Sequence, residues 1–382
     1  MSEIVLTEEQ SRAVALCATR LKKGMPLTTL FGFAGTGKTE VARHIAEAVG
    51  GRTVFCAPTG KAALVLKKRG IAASTVHQLI YRPVGASMKK LEELQAEFER
   101  TKKPARKEEL KAQITDLLAL LDQPRFILEE EALEGVDAVV LDESSMVGTQ
   151  MLEDLMSFGV PVLALGDPAQ LPPVNASSPI AGDGYRPTVM LDKLHRFALD
   201  SPINYFATRC RESGPRAVTG WRQGCGINEV ATFDLDARQV DLLIERFDQV
   251  ICGRNATRWR LNARIREAKG LPADELDDAD IMVCLRNDYK LGLVNGEQYT
   301  VAQLAEMSIP ENRIVSVEGW VGERDKPHFA FGYAITCHKA QGSEWDRVAI
   351  LDESNVFHSA ARQWLYTAIT RAAEKVVVLR CA

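Results

Sequence analysis

No stretch of this 382-residue chain is apolar over the about 20 residues a membrane-crossing helix requires, because its longest apolar runs are only strand-length. The opening MSEIVLTEEQ has neither the basic nor the apolar segment of a secretory leader, so a cytoplasmic protein without a membrane partner is expected. None of the eight cysteines (Cys17, Cys56, Cys210, Cys225, Cys252, Cys284, Cys337 and Cys381) forms a C-x-x-C pair. That spacing argues against a zinc ribbon and against a disulfide framework, leaving reduced thiols. Basic residues are not in excess either: Lys and Arg number 47 against 51 Asp and Glu, a net charge of −4. A protein that gathers nucleic acid by bulk charge is thereby disfavoured. A narrow single-strand channel is not, since it works through local charge and stacking surfaces that a whole-chain sum averages away. The remaining composition, 46% hydrophobic and 26% charged, is that of a globular protein of two or three domains.

Residues Gly32 to Thr39 read GFAGTGKT and fit the phosphate-loop pattern G-x-x-x-x-G-K-[ST], with an apolar run before them and a helical run, Lys38 to Val49, after them. In such a loop the backbone around Gly35, Thr36 and Gly37 curls about the phosphates, Lys38 reaches the β- and γ-phosphates, and the Thr39 hydroxyl ligates Mg²⁺. A glycine-rich turn ending in Lys-Thr by coincidence is the plain alternative, and the strand–loop–helix setting argues against it. Binding of a nucleoside triphosphate, ATP with Mg²⁺, is expected. The run VVLDESSMV, Val139 to Val147, ends an apolar strand in two carboxylates: Asp142 is placed to hold the metal ion and Glu143 to deprotonate the attacking water. A third run, VLALGDPAQLPPV, Val162 to Val174, offers Gln170 to sense the γ-phosphate, with Pro172 and Pro173 stiffening the exit.

In this order the motifs resemble those of the superfamily 1 helicases, and the likeness extends over nearly the whole chain. LTEEQSRAV, Leu6 to Val14, is similar to the segment whose glutamine, here Gln10, reads the adenine edge. APTGKAA, Ala57 to Ala63, and STVHQLI, Ser74 to Ile80, resemble the single-strand-contacting motifs, which implies DNA contacts at Pro58, Thr59, Lys61 and His77. From residue type alone, His77 beside an apolar run is as well explained as a structural histidine. LHRF, Leu194 to Phe197, resembles the motif with an arginine finger, Arg196; His195 stands where many relatives carry an adenine-stacking tyrosine, a role an imidazole can also fill. YAITCHKAQGSEWDRVAIL, Tyr333 to Leu351, and LYTAITRA, Leu365 to Ala372, resemble the last two motifs. They imply DNA contacts at Thr336, His338 and Lys339, nucleotide contacts at Gly342 and Glu344, and a second finger at Arg371. The CHKAQGSEW form and the short GDPAQLPPV loop are similar to the RecD-like branch, and the compact length to phage helicases of the Dda type, for which the compartment would be the host cytoplasm. That branch moves 5′→3′ on single-stranded DNA.

Alternating strand and helix predicts two RecA-like P-loop NTPase domains with parallel sheets: residues 1–81 with 132–200, and 201–270 with 327–382. Strands are expected from Leu27, Thr53, Ala138 and Val162, then at Gln249 to Gly253, Phe329 to Thr336, Arg347 to Leu351 and Lys375 to Arg380. Residues 82–131 hold apolar positions at helical spacing (Met88, Leu91, Leu94, Phe98; Leu110, Ile114, Leu117, Leu121) around the turn TKKPARK, a charged helical hairpin flanked by LIYRP and RFILEE, which can pair as strands. The resemblance puts the strand-separating pin here; a solvated decoration is the alternative. Residues 271–326 predict a small β-barrel with strands at Ile281 to Leu285, Gln298 to Val301 and Ile314 to Val317 and an Asn295-Gly296 turn, SH3-like by resemblance. The expected partners are single-stranded and forked duplex DNA, together with replication or recombination proteins, and nothing demands more than a monomer. Two activities stay open: a DNA helicase, and a single-strand-stimulated translocase that remodels protein–DNA complexes without processive unwinding.

Overall fold

The computed structural model describes residues 6–84, 88–101, 104–121, 125–172, 178–180, 185–192, 200–271, 275–285, 288, 291, 293–309 and 329–381. His195, Arg196 and the expected strand at 314–317 lie outside these. The chain divides into two units, Met1–Thr75 with Val136–Ala382, and Val76–Gly135.

The larger unit holds two six-stranded sheets. The first has the order β3-β2-β6-β7-β1-β8, with β1 Leu27–Gly32, β2 Thr53–Ala57, β3 Ala73–Thr75, β6 Ala138–Leu141, β7 Val162–Gly166 and β8 Val189–Leu191. Its pairings are all parallel, Leu27 opposite Val162 and Val54 opposite Val139. Helices cover both faces of a parallel sheet, so its central strands are apolar throughout; AVVL and VLALG are buried at every position. Ala13, Cys17 and Leu21 of helix Glu8–Lys22 and Val41 and Ile45 of helix Lys38–Val49 pack with Leu30, Val140 and Leu163.

The second sheet has the order β15-β11-β16-β17-β10-β9: β9 Trp221–Arg222, β10 Cys225–Val230, β11 Gln249–Cys252, β15 Ala334–Thr336, β16 Trp345–Leu351 and β17 Ala372–Cys381. All pairings are parallel except the β9 edge. The two orders match position by position, β10 standing where β1 stands and β11 where β2 stands. These are two RecA-like α/β domains. An apolar cluster joins them, with Leu171 of the first packed among Phe206, Ile335, Trp364 and Ile369 of the second.

The run Phe329 to Thr336, expected as one strand, divides at Gly332. Phe329–Phe331 (β14) pairs antiparallel with Ile281–Cys284 (β12), whereas β15 joins β11. The Gly332 carbonyl accepts from the Gln249 and Gln298 amides, and a Cβ at this position would lie 3.1 Å from Gln298 Nε2. With Gln298–Thr300 (β13), β12 and β14 form a three-stranded antiparallel sheet among the described residues. Its third strand thus comes from chain expected in the second lobe. Val301, expected to end a strand, opens helix Val301–Glu306, because Thr300 and Gln303 make a capping box there. Gly296 takes φ 87° in a turn closed by Glu297 N donating to Val294 O at 3.1 Å.

In the smaller unit, β4 (Tyr81–Val84) pairs antiparallel with β5 (Arg125–Leu128), Tyr81 opposite Leu128. Helices Met88–Arg100 and Pro104–Leu121 form the hairpin between them. The expected turn TKKPARK is shorter than its composition suggests, since Pro104 starts the second helix, where its missing N–H costs nothing. Arg106 donates to Glu97 at 2.7 Å across the hairpin and Lys107 lies 5.0 Å from the Phe98 ring centre. Among the described residues no helix is long and apolar enough to cross a membrane.

Candidate nucleotide-binding cleft

Ligands of parallel α/β sheets gather at the carboxyl ends of the strands. The loop after β1 turns through Gly35 at φ 81° and Gly37 at φ 79°, left-handed values that glycine adopts without strain. Gly37 is the N-cap of helix Lys38–Val49 and gives it no side-chain cap, so the first helical amides stay available to an anion. Lys38 Nζ donates to the loop carbonyls of Gly32 at 2.7 Å and Phe33 at 3.1 Å. After β6, Glu143 N donates to Asp142 Oδ1 at 2.8 Å, and Glu143 takes the left-handed φ of 50°, strained for a non-glycine and characteristic of functional turns. Burial raises both carboxyl pKa values; for Glu143 the neighbouring Asp142 charge adds to the rise, while Arg371 and Lys38 oppose it. The Thr39 hydroxyl lines the same cavity as Asp142 and opposes the rise of that carboxyl's pKa.

These groups line one cavity of about 700 Å³, within the range of small-molecule sites. Lys38, Thr39, Asp142, Glu143 and Gln170 enter from the first lobe, and Gly342, Ser343, Glu344 and Arg371 from the second. Arg371 is 5% exposed and donates to the carbonyls of Thr367 at 3.1 Å and Ser343 at 3.2 Å. Gln170 Oε1 and Ser343 Oγ are buried in this lining with no hydrogen-bond partner. Open helix amides, a lysine over the loop and the unpartnered Ser343 hydroxyl fit a polyphosphate, while Gln170 Oε1 can accept only from a donor such as water. A hydroxyl beside a single carboxylate fits a hard cation that takes most of its other ligands from phosphate and water, as Mg²⁺ does. Among the described residues no group of three or more His, Cys, Asp or Glu could hold a metal by itself.

Gln10 differs from its expectation. Its Oε1 accepts from Thr7 N at 2.9 Å and its Nε2 donates to Thr36 O at 3.1 Å, so it braces the phosphate loop from behind and does not line the cavity. Its place at the third position of a capping box explains this. Lys61 is also turned inward. Its ammonium is buried with no hydrogen-bond partner, 4.7 Å from the Trp345 ring centre, and burial lowers its pKa to about 8. Thr59 beside Pro58 caps helix Gly60–Lys68 through Ala62 N at 3.2 Å. Thr336 is buried, His338 lies 5.8 Å from Phe357, and burial lowers the pKa of both His338 and Lys339. His77 belongs to the smaller unit, 5.2 Å from Tyr81. Asp167, Gln341, Tyr366 and Thr367 sit inside recognised motifs yet carried no expectation, and they bond the lobes together: Leu171 N donates to Thr367 Oγ1 at 2.9 Å and Gln341 Nε2 to Leu171 O at 3.0 Å.

The family described as "AAA domain" matches residues 5–230, and "UvrD-like helicase C-terminal domain" matches 331–379. The ATP-dependent RecD2 DNA helicase of Deinococcus radiodurans is 29% identical over 97% of this chain and 48% of its own length. This chain belongs to the AAA-domain family. The RecBCD enzyme subunit RecD of Mycobacterium tuberculosis is 27% identical over 97% of the chain and 69% of its own length. Among solved structures, Bacteroides Pif1 bound to ssDNA superposes with a TM-score of 0.52 at 18% identity, covering 100% of this chain and 93% of that one, a likeness of fold. The chain spans about half the length of the RecD2 relative.

Proposed function

We propose that this chain is an ATP-driven motor that moves 5′→3′ along single-stranded DNA and separates duplex strands. The observation that carries the reading is the cleft lining: a phosphate loop and paired carboxylates on one lobe face Arg371 on the other. A single-lobed switch has no use for that pairing. A cleft that gains and loses a triphosphate is a cleft whose two walls move.

In this reading Lys38 and the amides of Gly35 to Thr39 bind the phosphates. The Thr39 hydroxyl and Asp142 would hold Mg²⁺, which when bound neutralises phosphate charge. Glu143, its pKa raised by burial and by Asp142, accepts the proton of the attacking water. Gln170 Oε1, lacking a partner, orients that water. Arg371, held by two carbonyls of its own lobe, stabilises charge on the transferring phosphoryl group. Arg196 is a second finger by family resemblance. Thr336, His338 and Lys339 and the Pro58–Thr59 turn are the DNA-contact candidates at the strand ends, and the hairpin of 82–131 is the pin. The named relatives, an ATP-dependent RecD2 DNA helicase and a RecBCD enzyme subunit RecD, support this assignment.

Forked duplexes bearing a 5′ or a 3′ single-stranded tail test it, with ATP hydrolysis followed in parallel. Single strands should stimulate hydrolysis and only the 5′-tailed fork should be unwound. Unwinding of the 3′-tailed fork alone overturns the polarity; hydrolysis without unwinding of either fork leaves a remodelling translocase.

A further inference from the structure

One side chain of the second lobe holds both phosphate-facing loops of the first. Tyr366, in helix Ala361–Ile369 and 2% exposed, accepts a hydrogen bond from Ala34 N at 3.0 Å and donates its own proton to Asp167 Oδ2 at 2.7 Å. Ala34 is the third residue of the phosphate loop. Asp167, 1% exposed, closes the turn that carries Gln170: its Oδ1 accepts from Ala169 N at 3.0 Å and its carbonyl from Gln170 N at 3.2 Å. The neighbouring Thr367 binds the next residue of the same turn through Leu171 N. Five residues beyond Tyr366 stands Arg371.

We propose that Tyr366 is the positioning residue that makes hydrolysis depend on lobe closure. Only when the second lobe is seated does its hydroxyl fix the Asp167 turn, and with it Gln170, against the phosphate loop. The same seating delivers Arg371 into the cleft. Separation of the lobes removes the hydroxyl from between Ala34 N and Asp167, and water then solvates both. Water positioning and charge stabilisation are thereby switched together by this helix and the turn that follows it. Burial and the Asp167 charge raise the phenol pKa well above its ordinary value, so the hydroxyl remains a donor across the working pH range.

The proposal rests on the ATPase reading of the cleft, and Tyr366→Phe tests it separately. The variant keeps the ring packing and loses only the hydroxyl, so in the closed state Ala34 N and Asp167 Oδ2 lose their shared partner while Asp167 Oδ1 keeps Ala169 N. DNA-stimulated kcat should fall by roughly tenfold to a hundredfold, with affinity for a triphosphate in the absence of DNA within about threefold of the parent. Adding Gln170→Ala to Tyr366→Phe should cost less than the product of the two single losses, since both act through one turn. A parent without nucleotide hydrolysis overturns the ATPase reading and the proposal with it. An active parent whose Tyr366→Phe variant keeps kcat within a few-fold, or whose double variant shows the plain product, overturns the proposal alone. Tyr366→Trp, too large for the buried site, should lose thermal stability as well, whereas Tyr366→Phe should lose turnover with its melting temperature near the parent's.

Discussion

The two sheets share a strand order, yet they finish their helices differently. After β1 the helix Lys38–Val49 begins at Gly37 with no side-chain cap. After β10, in the matching position, the chain reads ATFDLD, and helix Ala237–Arg246 is closed by Asp236, whose Oδ1 accepts from Gln239 N at 2.8 Å while Asp236 N donates to Gln239 Oε1 at 2.9 Å. The second lobe repeats this after β11. There the 1%-exposed Glu353 accepts from Gly253 N, Arg254 N and the Thr257 hydroxyl at 2.8, 3.0 and 2.7 Å, filling the start of helix Asn255–Ala268 with a carboxylate. A helix N-terminus attracts negative charge in either lobe. In the second lobe the protein supplies the anion and gains stability; in the first it leaves the place open, and a phosphate can take it. Among the described residues, one architecture used twice therefore leaves one such helix start open, in a cleft whose far wall is built from strand-end loops of the lobe that has closed its own.

The sharpest break of this comparison is in turnover. Glu143→Gln should reduce DNA-stimulated hydrolysis by at least about a thousandfold while nucleotide binding persists, because it removes the proton acceptor and no phosphate ligand. Its stability should move the other way. The folded-state pKa of Glu143 is raised, so its charge costs stability at neutral pH and the cost fades as pH falls through that pKa. The glutamine variant should melt higher than the parent at pH 7, by an amount that shrinks on acidification. Arg371→Ala, on the opposite wall, should lower kcat by at least about a hundredfold with little change in affinity. Equal affinity losses in both variants would merge the two walls into one binding surface and sink the division of roles.

A smaller effect separates the closed helix starts from the open one. Asp236→Ala should cost about 1 kcal/mol of stability, read as melting temperature or denaturant midpoint, and leave hydrolysis unchanged. For Glu353, burial raises the pKa, but the hydrogen bonds from Thr257, Arg254 and Gly253 outweigh it and hold the value below the usual range. A depressed carboxyl pKa gives stability that is present above the unfolded-state value and lost as pH falls through the folded one. Glu353→Gln should therefore destabilise the protein at pH 7 and flatten its acid transition. An acid transition as steep as the parent's would show that Glu353 is not the group that titrates.

Much of the cleft was legible because its chemistry is local in sequence. A phosphate loop, a carboxylate pair after a strand and the arginine in LYTAITRA each need only neighbours to be recognised, and Lys38, Thr39, Asp142, Glu143, Gln170 and Arg371 meet in one cavity. Buried parallel strands announce themselves as apolar runs, hence Leu27, Ala138 and Val162. What stayed hidden depends on partners far along the chain. Gln10 reads as a nucleotide contact by family resemblance although its spacing from Thr7 also spells a capping box, and only the fold shows its amide bonded to Thr36. The change of sheet at Gly332 is invisible because FAFGYAIT is apolar on both sides of the glycine. Strands β8 and β9 are too short, at Val189–Leu191 and Trp221–Arg222, to give a period. Tyr366 lay in plain view inside a motif, but a hydroxyl that bonds residues 332 and 199 positions away has no sequence signal.

The last expected effect, on stability and not on turnover, lies where the lobes meet, at Lys61. Family resemblance makes it a DNA contact, whereas its ammonium lies against Trp345 of the second lobe, near Gly296 and Glu297 of the turn before β13. Burial lowers its pKa from 10.5 to about 8; the charges of Arg371, Lys68 and Lys339 add to the fall and Glu297 opposes it. A base whose folded pKa is depressed destabilises the fold while protonated. That penalty is complete below about pH 8 and gone above the unfolded-state value of 10.5, so stability should climb between them. Lys61→Met keeps the aliphatic length against Trp345 and removes the charge. Its melting temperature should exceed the parent's at pH 7, with a gain on the order of 1–3 kcal/mol, and the two curves should converge toward pH 10.5. The same variant decides the DNA assignment. A lysine that neutralises a phosphate steepens the salt dependence of single-strand binding, and its loss lowers the slope of log K against log salt by about one. An inward lysine leaves that slope unchanged, so melting curves that stay parallel through pH 8 to 10.5 together with a reduced slope would return Lys61 to the DNA groove.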